Sequence, residues 1–123
     1  MLDKENLIEK SSFLFEEFIK NNSKFKTLSH FRRSPGSYLL MLKIMKAHFS
    51  EKELNVEELI REIPISIASR LSLFSVIDNA QKKNFLKKIN SLNDKRKKKV
   101  VPADFFVKEF KDWLNQVFEA KRN

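Results

Sequence analysis

Between positions 82 and 101 the chain reads KKNFLKKINSLNDKRKKKVV, where nine basic side chains (Lys82, Lys83, Lys87, Lys88, Lys95, Arg96, Lys97, Lys98, Lys99) face a single acid, Asp94. Nine less one leaves eight of the nine net positive charges carried by all 123 residues. Charge gathered in this way makes a local positive field that attracts a polyanion, and against a nucleic-acid backbone it gains by releasing condensed counterions. The plainer reading of a lysine run is a solvated loop. Against it stand the flanking apolar residues Phe85, Leu86, Ile89, Val100 and Val101, which bracket an Asn/Ser/Asp turn at 90–94. Two short β-prone runs about such a turn read as a hairpin with a cationic tip.

Other chemistries find little support. There is no cysteine, so disulfides, thiolate metal sites and a cysteine nucleophile are excluded. His30 and His48 lie far apart without a carboxylate at ligand spacing and read as surface or boundary histidines, so no metal is expected. Glu16, Glu17, Glu57, Glu58 and Glu109 stand beside lysines at helical spacing, which suits ion pairing better than acid–base work. No nucleophile motif occurs, and the single glycine, Gly36, argues against a phosphate-cradling loop. The expectation is a protein without catalytic residues, cofactor or metal. No apolar run is long enough to span a bilayer, and the N-terminal stretch lacks the pattern of a signal peptide, so a cytoplasmic, nucleoid-associated protein is expected and no membrane partner.

The elements that must carry the basic hairpin follow from periodicity. Positions 3–21 form an amphipathic helix with Leu7, Ile8, Leu14, Phe15, Phe18 and Ile19 on one face, stopped by Asn21-Asn22-Ser23. Positions 24–34 read as an irregular basic connector, in which Arg32 and Arg33 are candidates to grip phosphate. A helix opens at Pro35 or Ser37 and carries a stripe of Tyr38, Leu42, Met45 and Phe49. Asn55 caps a short helix, with Glu58 reaching back to it; Pro64 ends or kinks that helix after Ile63. A longer helix ends near Lys83, and Asn84 is placed to take the left-handed conformation. After the hairpin Pro102 breaks the second strand. A last helix runs from Asp104 to about Arg122 with Phe106, Phe110, Trp113 and Val117 in its stripe. The 123 residues make one domain: 1–34 as N-terminal helix and connector, 35–102 as core, 103–123 as C-terminal helix. The fold class expected is mainly α with a small β-hairpin, a winged helix-turn-helix with extra helices at both ends.

From Asn55 to about Trp113 the chain resembles the MarR-type winged-helix transcription regulators. Asn84 stands where that family has a glycine after its recognition helix. Asp94-Lys95-Arg96 falls ten positions on, at the spacing of the family's Asp-x-Arg wing motif, and Val100 matches its valine. Pro102-Ala103 replaces the usual Leu-Thr, leaving Asp104 as a substitute cap. Counting back places Ser69 at the recognition-helix cap, although about three extra residues lie within Pro64-Ile65-Ser66-Ile67-Ala68 and a competing register starts at Ser66.

The resemblance implies a homodimer that binds double-stranded DNA, with a small-molecule effector common among such regulators. Under the Ser69 register the DNA-facing candidates are Ser69, Arg70, Ser72, Ser75 and Asn79 on the helix. Lys82, Lys83, Lys87, Lys88, Lys95, Arg96 and Lys97 are added by the basic segment, and Arg32 and Arg33 by the connector. Asn84 and Asp94 serve the wing's shape, Asp94 by orienting Arg96 or capping the turn. Phe15, Phe18, Phe110, Trp113 and Val117 are the expected dimer surface, because the terminal helices carry more aromatic area than one small domain buries. The rival readings are a protein-docking module using Leu71 and Phe74, and an RNA-binding protein.

Overall fold

The computed structural model describes residues 1–92, 94 and 96–119. The order is α1 (Lys4–Lys24), α2 (Lys26–Phe31), α3 (Pro35–Phe49), α4 (Val56–Arg61), α5 (Arg70–Lys82), β1 (Leu86–Asn90), β2 (Lys98–Pro102) and α6 (Asp104–Glu119). Lys95 of the expected wing tip, Asn93 of its turn, and the last turn expected of α6 lie outside the described residues.

The side-chain caps expected at Asn55 and Ser69 are realised, whereas Asp104, expected to cap the last helix, is instead the first residue inside α6. Asn55 Oδ1 accepts from Glu58 N–H at 2.8 Å while Glu58 Oε1 accepts from Asn55 N–H at 3.0 Å, so α4 opens on a complete capping box. Ser34 caps α3 with Pro35 at its first turn. Ser69 Oγ accepts from Ser72 N–H at 3.1 Å, which settles the start of α5 in favour of Ser69 over Ser66. Asn84 has φ 64°, the left-handed turn that releases the chain into β1. The strands pair antiparallel from Leu86 opposite Pro102 to Asn90 opposite Lys98. The far edge of β2 is joined by Leu54, whose carbonyl accepts from Val100 N–H at 2.9 Å.

Three sequence expectations are corrected. Helix α1 does not stop at Asn21-Asn22-Ser23 but runs to Lys24, because Asn21 is buried inside it and donates to both Glu17 and Gln116 at 3.0 Å. The supposed connector contains α2, a helix whose Thr27, Leu28, His30 and Phe31 are buried. It has no cap of its own. Glu109 of α6 supplies one instead, accepting from Thr27 N–H at 3.2 Å and from its hydroxyl at 2.6 Å. His30 is a core residue rather than a boundary one: its Nε2–H donates to the Val76 carbonyl of α5 at 3.2 Å. Burial pushes its pKa below the ordinary histidine value, aided by the charges of Lys83 and Arg33, although the Val76 bond opposes this.

Helix α3 lies at the centre, buried at Leu40, Met41, Ile44, Met45 and Ala47. A helix apolar on nearly every side has no single core stripe, so Tyr38 and Leu42 end up half-buried and Phe49 exposed. Against it pack Phe31 and Phe106, stacked at 5.0 Å, with Leu59, Ile60, Leu73 and Ile77. Where α3 begins, a Cβ on Gly36 would lie 2.6 Å from Ala68 Cβ and 3.1 Å from Leu73 Cδ2. The residue's bareness thus sets how closely the start of α5 seats on α3. In an open helix Gly36→Ala would stabilise by about 1 kcal/mol; here overpacking against a backbone-borne methyl outweighs that, and a net loss of about 1–2 kcal/mol is expected in urea unfolding. A raised midpoint would show that the contact yields freely.

Candidate nucleic-acid interface

The side chains that face solvent on α5 follow from the ones it buries. Leu73, Ile77 and Ala80 point into the core, so Leu71, Ser75, Asp78 and Lys82, at i, i+4, i+7 and i+11, form the stripe opposite, with Ser72 and Asn79 beside it. All are exposed. Arg70 occupies the first turn and is not unattached: its Nη2 donates to Glu57 Oε2 of α4 at 2.8 Å, and its guanidinium lies 6.0 Å over the Phe74 ring. Lys82 is paired with Asp78 at 3.1 Å. Both pairs are more than half exposed, so each is weak and readily exchanged for a phosphate.

The hairpin divides its lysines between two faces. Cross-strand partners share a face, so Lys88 and Asn90 stand with Lys98 and Val100, while Lys87 and Ile89 stand with Lys99 and Val101. The first face adjoins α5: Lys88 lines one groove together with Glu57, Leu71, Phe74, Ser75 and Asp78. The second turns towards His48, Phe49 and Glu53. Lys88 and the exposed stripe of α5 are therefore brought together, whereas Lys87 projects from the other side of the ribbon. Lys83, at the C-terminal end of α5, is exposed and lines a separate hollow with Arg33, Lys26 and His30.

The turn between the strands is organised by carboxylates. Asp94 Oδ1 accepts from Arg96 N–H at 3.0 Å and from its Nε at 3.4 Å, while the Asp94 carbonyl accepts from Lys97 N–H. This acid closes the turn and touches the otherwise exposed Arg96 guanidinium. A second carboxylate, which no local sequence pattern marks, braces the turn from outside it. Glu53, just ahead of α4, accepts from Ser91 Oγ at 2.6 Å and Leu92 N–H at 3.2 Å, with Lys99 Nζ at 3.4 Å. The Ser91 and Leu92 hydrogen bonds, then Lys99, hold its pKa below the ordinary carboxylate value against a smaller opposing effect of desolvation. A lone glutamate 38 positions from its partner leaves no local signature.

Arg32 is not a phosphate contact in this fold. Its guanidinium is buried against Glu17, with Nη2 to Oε1 at 2.7 Å and Nη1 to Oε2 at 3.1 Å, and it lies over the rings of Phe18 and Trp113. Arg33 beside it is exposed. The expected dimer surface is also divided. Phe110 and Trp113 are buried within this chain, Trp113 Nε1–H donating to Glu17 Oε2 at 3.0 Å, and cannot face a partner. Phe15 and Phe18 are exposed, with Leu7, Ile8, Leu14 and Ile19 on the same helix, and Val117 is half-buried. An apolar cavity of about 790 Å³ opens between α1, the start of α3 and α6, lined in part by Leu14, Phe18, Tyr38, Trp113, Leu114 and Val117. Among the described residues no cluster of three metal-ligating side chains occurs, and no helix is long and apolar enough to cross a membrane.

No protein-family model and no curated protein matches this sequence. Solved structures do. A point mutant of MepR from S. aureus shares 12% identity over 98% of this chain and 81% of its own, with a TM-score of 0.57. Wild-type MarR from E. coli, in its apo form, shares 15% over 98% and 80%, with a TM-score of 0.54. A mutant MarR from E. coli complexed with operator DNA shares 16% over 97% and 81%, at 0.52. The chain thus has the winged-helix fold of the MarR-type regulators, along nearly its whole length.

Glu53→Gln should free the turn of the hairpin while leaving α5 in place. The sign with pH follows from the lowered pKa: the anchor holds above the ordinary carboxylate range and is released as pH falls through the depressed value. Amide exchange at Leu92 is expected to accelerate in that acid window in the wild type, and to be fast at all pH values in the variant. Equal protection in both proteins would remove Glu53 from this role.

Proposed function

We propose that this chain is a MarR-type transcription regulator that binds double-stranded DNA as a homodimer, with α5 in the major groove and the basic hairpin on the flanking backbone. The observation that carries the reading is the juxtaposition of Ser69-capped α5 with the face of the hairpin bearing Lys88, across one groove. A helix N-terminus and its exposed stripe meet base edges in such folds, while lysines on the adjoining ribbon neutralise phosphates. That a mutant MarR from E. coli of the same fold was solved in complex with operator DNA supports DNA as the partner. Lys88, Lys97, Lys98 and Arg96 supply affinity; Ser72, Ser75 and Asn79 lie within the reading surface. Arg96, aimed by Asp94, suits a narrow A·T-rich minor groove. Occluding a promoter is the simplest consequence of such binding, and repression is the sense of regulation proposed.

Dimerisation rests on α1. A helix of 21 residues that buries only Glu17 and Asn21 while exposing Leu7, Ile8, Leu14, Phe15, Phe18 and Ile19 lacks a partner for its apolar face. A second copy, related by a two-fold axis, supplies one and places two α5 helices on half-sites about one duplex turn apart.

Alanine at Lys95, Arg96 and Lys97 together should weaken binding to every duplex and reduce the log–log salt slope by about 2–3; an unchanged slope removes the hairpin from the interface. Phe15→Asp, at a side chain 65% exposed, should convert a dimer to a folded monomer in sedimentation equilibrium. A wild-type protein that sediments as a monomer at micromolar concentration would refute the two-fold arrangement.

A further inference from the structure

The outward stripe of α5 offers bases one feature that its charges do not. Leu71 is 81% exposed, in the first turn of the helix and opposite its buried face, where it adds nothing to the core. Phe74 lies one turn on at the edge of the same groove, 36% exposed. The charged neighbours are matched: Arg70 with Glu57 and Lys82 with Asp78. The carboxylates of Glu57 and Asp78 line that groove together with Leu71 and Phe74. With these charges matched, the groove offers an acidic protein segment little to attract it beyond Lys88. A DNA duplex presents base edges, where a carboxylate accepts from the cytosine amino group, and the only apolar group it offers in the major groove is the thymine methyl.

Resting on the DNA-binding reading, we infer that Leu71, walled by Phe74, reads thymine methyl groups. Sequence preference then comes from apolar contact at the start of α5 rather than from an arginine on guanine. Guanine reading by Arg70 requires its exposed 2.8 Å bond to Glu57 to be exchanged, a small cost, whereas Leu71 is presented without any rearrangement. The flanking Lys88 and Lys98 hold the backbone on the same face of the hairpin and so set the depth at which Leu71 meets the bases.

The test uses the intact protein and duplexes it selects from a random-sequence library, resynthesised with deoxyuridine replacing thymine at one position at a time. Removing a methyl read by Leu71 should weaken binding about fourfold, equivalent to about 0.8 kcal/mol for one buried methyl-sized group. Leu71→Ala should bind the thymine and uracil duplexes equally, with an unchanged salt slope. The side chain is exposed, so the variant keeps its fold, which circular dichroism checks. Wild-type protein indifferent to every thymine-to-uracil change overturns the inference while leaving DNA binding intact. So does a Leu71→Ala protein that keeps the full thymine preference, and so does a preference lost only in Arg70→Ala. Failure to select any duplex overturns the DNA reading and this inference with it.

Discussion

The Glu17 carboxylate and the Arg32 guanidinium are removed from water together, each side chain only 6% exposed. Such a pair survives desolvation only when its remaining hydrogen-bonding capacity is filled, and here Asn21 and Trp113 complete it. Burial pushes the Glu17 carboxyl up, but the bonds from Arg32, Asn21 and Trp113 outweigh it and hold the pKa below the ordinary value. The pair therefore stays ionised through the neutral range, and its contribution is lost only as pH falls through that depressed value. Its effect is positional. Removing one partner of a buried pair costs about 3–5 kcal/mol because it strands the other, whereas an apolar replacement of both is often neutral. The pair specifies where α1 sits, by polar bonds, and so leaves the helix's apolar side chains free to face outward.

A division of labour among the charges follows. Arg32 is consumed in holding α1 to the body and brings no field to the surface. The charges on α5 largely cancel against Glu57 and Asp78, so the helix that would read sequence carries little net attraction of its own. The attraction is concentrated in the hairpin, and there a carboxylate at Glu53 and another at Asp94 govern the shape of the turn. Two acids amid the basic ribbon lower its net charge slightly, yet they convert a flexible lysine run into one with a defined direction. In the proposed DNA complex affinity and discrimination would thus reside on separate elements, joined across the groove between α5 and β1.

What the sequence made legible was the local chemistry. The capping box at Asn55 and the left-handed Asn84 each depend on residues within a few positions of one another and are readable for that reason, whereas the cap at Ser69 follows only from the family's spacing back from Asn84. The hairpin followed from two apolar runs and a turn. Helix α2 escaped notice because six residues carry too little periodicity and its cap comes from Glu109, over eighty positions away. Arg32 shows the limit of residue type: an arginine beside a helix start reads as exposed unless Glu17, on another element, is known to meet it. Phe110 and Trp113 were assigned to an interface because an amphipathic stripe states that a face is covered, not by what. Within this chain α3 and the Glu17 pair already cover them.

Helix α2 is short, yet hydrogen bonds tie it to both ends of the molecule. Thr27 is bonded to Glu109 of α6, and Arg32, at its C-terminal boundary, to Glu17 of α1. On its inner face His30 donates to the Val76 carbonyl of α5, a second tie to the middle of that helix beyond the packing of Leu73 and Ile77 on the core. Helical carbonyls are ordinarily satisfied within their own helix, so a bond from a buried imidazole fixes α5 from the side rather than adding to its ladder. Because burial keeps that imidazole neutral, it can donate through Nε2 without bringing a further charge beneath a surface already crowded with lysines. The placement of α5 is thereby tied to the same short helix that receives α1 and α6, which makes the geometry of the terminal helices a determinant of where the exposed stripe of α5 lies.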